Sequence, residues 1–337
     1  MNEQPSQDRR SFLKTMGASS ALAVTVPALW SATSADAGAA AVSPGSRGYV
    51  AGKYAIELDG VMAGWVQSFD GGGASAEVVE EKTTEGQFAA KKHISNVKYE
   101  GISISCGTGM SKGFYQWIKD SMDGKAVRIS GGVRGSIHQK FRLNFTNALI
   151  TEIGFPALDA ASKDAAKMTI KFSPESSRRA EDTGAPPQMP FTWPWLASRF
   201  ILEIDGLDCS RVSKIDAFVV KQTLAETSVG TLRDYQKEPA KIEFPNISIT
   251  LPESASGSFQ DWFDDFVIKG NNDDKQEKSG TLSWMTADGK LVLGVVEFSH
   301  LGIFRLAPDA SSTDGIRRVK AELYCESMAF DFSATSA

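Results

Sequence analysis

The heptapeptide Tyr54-Ala-Ile-Glu-Leu-Asp-Gly60 returns 146 residues later as Phe200-Ile-Leu-Glu-Ile-Asp-Gly206, with aromatic, Glu, Asp and Gly in the same slots. Extended without a gap, the two copies stay in step through Val66 with Val212, Phe69 with Ile215, Asp70 with Asp216 and Glu80 with Glu226. A period this long means two tandem domains, because solenoids repeat every 20 to 50 residues. Within each copy Ile56 and Leu58, or Leu202 and Ile204, alternate with acidic residues, the period-two pattern of a strand with one wet face. Asp59-Gly60 and Asp205-Gly206 tolerate positive φ, so each is expected to turn a first strand back into a second.

The copies agree further on. Polar stretches at 82–96 and 227–241 read as long excursions from a hairpin, followed by strands with Tyr99, Ile102 and Ile104, or Phe244, Ile247 and Ile249. One helix then follows in each copy. Phe114, Trp117, Ile118 and Met122 fall at helical spacing, as do Phe259, Trp262, Phe263, Phe266 and Val267. Ser111 and Ser258 are placed to cap these helices, and Gly124 and Gly270 to end them. An aromatic stripe at this spacing is core, so Phe114, Trp117, Ile118, Phe259, Trp262 and Phe263 are expected to plug two barrels, each Trp contributing about 3 kcal/mol by burial. Strands return over 127–133, 141–155 and 167–172, and over 280–285, 291–306 and 318–332, with Leu143 set against Leu293 and Asp159 against Asp309. Residues 174–198 contain Pro174, Pro186, Pro187, Pro190 and Pro194 and read as a linker. Phe191, Trp193 and Trp195 at its end are too apolar for water and are expected to pack on a domain.

The first 37 residues read as an address. Arg9-Arg10-Ser11-Phe12-Leu13-Lys14 resembles a twin-arginine signal, followed by a mildly apolar run from Met16 to Leu29 and an Ala35-Asp36-Ala37 cleavage site. The run is too short, and with Pro27 too weak, for a lasting membrane anchor. The expectation is passage through the twin-arginine translocon to the periplasm or beyond, with residues 38–50 as a flexible lead into a domain at 51–173 and a second at 199–333.

Net charge is -5, which does not support nucleic acid as the main partner. The charge is split: 16 basic against 13 acidic residues over 38–172, or +3, and 15 against 22 over 199–337, or -7. His93, His138 and His300 stand alone along the chain, and no cysteine spacing matches a zinc or iron-sulfur site, so neither metal nor cofactor is expected. The run Asn271, Asn272, Asp273, Asp274 lacks the Gly and distal Glu of a calcium loop and reads as solvated. Asp264 and Asp265 read as the wet face of a helix, Gly71 to Gly73 is no phosphate loop, and no nucleophile elbow is present, so enzyme activity is not expected. Three cysteines in an exported chain leave at least one thiol over. A Cys209 to Cys325 bond stays open, and Cys106 reads as a buried free thiol.

The order of strand, strand, polar excursion, strands, a Phe-x-x-Trp helix and strands resembles the tail tube protein family of contractile phages and injection systems. Residues 50–173, including Gly113-Phe-Tyr-Gln-Trp-Ile118 and the run from Phe141 to Phe155, carry the resemblance best, and 199–332 resemble a more divergent copy. The resemblance implies a mainly β fold: two tandem small β-barrels, each of two packed antiparallel sheets with one flanking helix. It also implies units that pair by strand edges into six-membered rings stacking as a tube. Duplication and the export signal depart from that family. With two units per chain, three chains would close a pseudo-hexamer. The competing reading is an exported monomeric module binding an envelope glycan, with Trp65, Trp193 and Trp195 stacking on sugars.

Overall fold

The computed structural model describes residues 54–81, 89–135, 141–182, 184, 195–227, 234–309 and 315–332. The export signal with Arg9, Arg10, Phe12, Leu13 and Lys14, the cleavage residues Ala35 and Ala37, and the lead at 38–50 lie outside them, as do Phe191 and Trp193. The first copy contributes β1 (Tyr54–Leu58), β2 (Val61–Gly71), β3 (Ala74–Glu80), β4 (Lys92–Tyr99), β5 (Ile102–Cys106), α1 (Lys112–Met122), β6 (Ile129–Arg134), β7 (Phe141–Phe155), β8 (Leu158–Asp159), β9 (Met168–Ser173) and β10 (Ser176–Glu181). The second contributes β11 (Trp195–Ile204), β12 (Lys214–Ile215), β13 (Phe218–Thr227), β14 (Gln236–Glu243), β15 (Ile247–Pro252), α2 (Gly257–Phe263), β16 (Lys278–Thr286), β17 (Val292–Asp309) and β18 (Arg318–Asp331).

The fold is mainly β, as the alternating patterns imply. Strands β7, β6, β1, β2, β5 and β9 pair in that order, and β9 returns to β7, closing a six-stranded barrel. Its inward positions, Ile102, Ile104 and Cys106 on β5 and Met168, Ile170 and Phe172 on β9, are all buried. Trp117 plugs it, 5.4 Å from Phe172, with its indole N–H donating to the Val127 carbonyl at 3.1 Å. Asp59 and Gly60, at φ 47° and 79°, make the tight turn between β1 and β2.

The second barrel, seven strands in the order β11-β16-β17-β18-β15-β12-β8, is nearly closed. Gly206 turns at φ 73°, but among the described residues no strand returns from it along β11. The expected hairpin at Asp205-Gly206 is therefore not formed. A loop of the first copy fills the gap instead: β8 pairs with β12, while Ala165 bridges Leu196 and the Ala166 amide donates to the Trp195 carbonyl at 2.9 Å. The borrowed segment pairs with β12 on one side and with the start of β11 on the other, supplying the hydrogen bonds that β1 and β2 exchange directly in the first barrel.

Other differences have local causes. Ser176–Glu181, read as linker because prolines surround it, is strand β10 on β7, its polar residues suiting a mostly exposed edge. Ser111 caps α1 by accepting from the Phe114 amide at 3.3 Å, but Ser258 caps nothing: it accepts from the Asp208 amide, and α2 begins after Ser256. Helix α2 then widens into a π-turn over Asp264–Ile268, ending near Gly270 at φ 78°. Phe114, Trp117, Ile118, Phe259 and Trp262 are buried, and Phe263 is half-buried against the same core.

The register also corrects the alignment of the copies. Asn147 and His300 sit at the same bulge with φ 49° and 56°, between Phe145 and Ala148 in one barrel and Phe298 and Leu301 in the other. The offset in this strand is thus 153 residues, so Leu143 corresponds to Val296 and not to Leu293.

Candidate assembly surface

Each copy sends out one long hairpin, β3 with β4 and β13 with β14, and their fates differ. Hairpin β13–β14 leaves its own barrel and extends the sheet of the first: Phe218 pairs with Phe155, Val219 with Gly154, Val220 with Ile153 and Lys221 with Glu152. Phe155, Phe218, Trp284 and Phe330 meet there, Phe155 lying 4.8, 5.5 and 5.9 Å from the other three rings. The contact is anchored by charge at its far end. Lys237 is buried, donating its amide to Glu175 Oε1 at 3.0 Å and its ammonium to Ser173 Oγ at 2.7 Å. Burial lowers the Lys237 pKa, a shift opposed by Glu226 and Glu175. Arg128 donates to the Lys237 carbonyl at 2.9 Å and pairs with Glu238, while Asn147 Nδ2 donates to Glu175 Oε2 at 2.7 Å.

Hairpin β3–β4 forms a two-stranded sheet of its own, and among the described residues β3 pairs only with β4. All seven residues of β3 are exposed, and Val78 and Ile94, 59% and 64% exposed, face water where a buried contact would be expected. Inside the chain it touches the other hairpin through Asn96 Nδ2 to Tyr235 Oη at 2.8 Å and Tyr99 Oη to Asp234 Oδ1 at 3.3 Å. The matching edge in the second barrel is open as well. Beyond Leu301, on its β16 side, β17 carries no strand among the described residues from Gly302 to Pro308, and Phe304 is 41% exposed there.

Close to that edge lies a cluster that linear spacing does not reveal. Glu277, His300 and Glu326 bring ligand-capable atoms within 4.8 Å of one another. His300 Nδ1 and Tyr324 Oη lie 2.7 and 2.6 Å from the two oxygens of Glu277, whose side chain is 7% exposed. The carboxylate holds the His300 pKa above its ordinary value, and burial followed by the same carboxylate raises that of Tyr324. His300 stands alone only along the chain: 23 residues separate it from Glu277, and the β16–β17 register joins them.

The remaining sequence candidates fall elsewhere. Trp195 is buried, 4.9 Å from Trp284, so it packs on a domain and is withdrawn as a sugar-stacking surface, while Trp65 is half-buried in β2. Asn271 to Asp274 are exposed. All three thiols are free, and burial pushes Cys106 up to about 12 and Cys209 and Cys325 to about 11. No described helix is long and apolar enough to cross a membrane.

No protein-family model and no curated protein matches the chain. Solved structures do. The similarity is to subunits of contractile injection systems. A chain of the anti-feeding prophage cap structure, the tube-terminating cap, is 19% identical over 44% of this chain and 97% of its own, with a TM-score of 0.32. A chain of the sheath-tube complex of the extracellular contractile injection system PVC is 19% identical over 40% of this chain and 89% of its own, at 0.29. Hcp1 from Flavobacterium johnsoniae is 14% identical over 40% of this chain and 96% of its own, at 0.25.

Proposed function

We propose that the mature chain, from Gly38 onward, is an exported structural subunit. Copies join head to tail by their strand edges into a ring of three chains and six barrels, and rings stack into a tube. The observation that supports this most is the unequal fate of the two hairpins. Hairpin β13–β14 lies on the β7 edge of the barrel before it, whereas among the described residues β3–β4 has an open strand edge and β17 has an unclaimed one. Unpaired edges are either blocked or find partners. A contact that repeats the internal one is heterologous, and such contacts close into rings when the rotation suits. Unlike net charges on the two copies would steer each first copy toward a second, while buried strand contacts supply most of the affinity.

Light scattering on residues 38–337 tests the reading. A mass of three chains that falls at high salt is the expected result, and a mass of one chain at every concentration and salt overturns it.

A further inference from the structure

The site that receives Lys237 in the first barrel has a counterpart in the second, and its residues can be assigned from the register alone. Asn147 and His300 share the positive-φ bulge. Leu149 faces Ser173 where Gly302 faces Tyr324, and Thr146 faces Ser176 where Ser299 faces Ser327. Ser173 therefore corresponds to Tyr324 and Glu175 to Glu326, and Arg128, the residue before Ile129, corresponds to Glu277, the residue before Lys278. The cluster of Glu277, His300, Tyr324 and Glu326 thus occupies the place that holds Lys237 within the chain.

The hairpins can be matched in the same way. Glu226 faces Lys237 in one and Glu80 faces Lys92 in the other, and each facing pair is an ion pair. One position on, Glu238 matches His93. Lys237 is buried in its site, whereas the side chain of Lys92 is 62% exposed.

We propose that Glu277, His300, Tyr324 and Glu326 form a socket for Lys92 of a second copy of this chain, so that β3–β4 docks on β17 as β13–β14 docks on β7. This rests on the head-to-tail reading above and names its contact. The charges at the two sites are consistent with it. Inside the chain Glu175 accepts from the Lys237 backbone amide and its charge favours the buried ammonium, and Glu326 keeps that carboxylate for Lys92. The neighbouring ion pair changes sign on both sides at once: Arg128 with Glu238 becomes Glu277 opposite His93. A reversal on one side alone would repel, whereas a reversal on both preserves attraction. Along β17 the backbone keeps the register of β7. Glu152 to Phe155 correspond to Arg305 to Pro308, and Pro308, with no N–H to offer, falls at the end of the stretch where β7 also stops.

The test is a charge swap in the full mature chain, with mass read by light scattering and folding by thermal melting. Lys92→Glu and Glu326→Lys should each melt like wild type yet reduce the assembly to single chains, and the double variant should recover wild-type mass. Wild-type assembly that persists unchanged in both single variants overturns the socket and leaves the ring standing. A wild-type chain that never assembles overturns both. Calorimetric binding of Zn²⁺ alone, lost in Glu326→Lys while Lys92→Glu assembles normally, assigns the cluster to a metal and overturns the lysine contact.

Discussion

Tyr115, on the helix of the first barrel, stacks on Phe332, the residue just past the last strand of the second, with ring centroids 3.7 Å apart and planes 13° from parallel. Lys119, one turn further along α1, lies 3.7 Å from Asp331. The ion pair is exposed and contributes little, whereas the rings are buried.

Phe332→Ala is therefore expected to cost about 3 kcal/mol and Lys119→Ala less than about 0.5 kcal/mol in urea unfolding. Because the stack joins the two copies, wild type should unfold in one transition followed equally by tryptophan fluorescence and circular dichroism. Two separated transitions would show that the barrels are independent.

The two helix tryptophans should differ. Trp262→Ala empties a core site and is expected to destabilise by about 3 to 5 kcal/mol. Trp117→Ala should cost at least as much, since it also orphans the Val127 carbonyl. Trp262 offers no such bond, because its buried N–H has no partner among the described residues and Lys278 lies over its ring at 5.4 Å. Equal melting of Trp262→Ala and wild type would place this side chain in water.

Asp182 sits 2.7 and 3.0 Å from the guanidinium of Arg134, which also meets Glu57 at 3.0 Å. Arg134 holds the Asp182 carboxyl below its ordinary value. A carboxyl with a depressed folded pKa adds stability above its unfolded pKa, near 3.9, and that stability is lost as pH falls through the folded value. Asp182→Asn should thus cost about 1 to 3 kcal/mol at neutral pH, with Glu57 limiting the loss, and flatten the fall in stability below about pH 4. Denaturant midpoints of both proteins between pH 3 and 7 give the comparison.

Replacement of Arg9 and Arg10 by Lys is expected to hold the uncleaved precursor in the cytoplasm. Immunoblots of cell fractions decide, and mature protein outside the inner membrane at wild-type level would remove the twin-arginine route.

What the sequence disclosed was local. Alternation at Ile56 and Leu58 marks a strand and its wet face, and Phe114, Trp117 and Ile118 mark a buried helix stripe, because periodicity reports which side of an element meets the core. It does not report which strand lies alongside. Phe218 and Val220 alternate as they would in any barrel, and nothing in them says that the partner is β7 of the other copy. The same blindness hid β10 among prolines, the loan of Leu158 and Asp159 to β12, and the approach of Glu277 to His300. Even the repeat misled in β7, since short insertions had moved the offset from 146 to 149 in β6 and to 153 in β7 while Leu143 and Leu293 still looked alike.

The exchange of strands between the copies sets an order on biosynthesis. When β7 leaves the ribosome its outer edge is bare, and it stays so until β13 and β14 have been made, through Glu243. The second barrel, for its part, takes up Leu158 and Asp159, made long before β12 exists. Pairings of such sequence separation form late. Neither half can be finished before the other has begun, so a nascent chain truncated near residue 200 would leave a barrel with an exposed β7 rather than a smaller version of the protein.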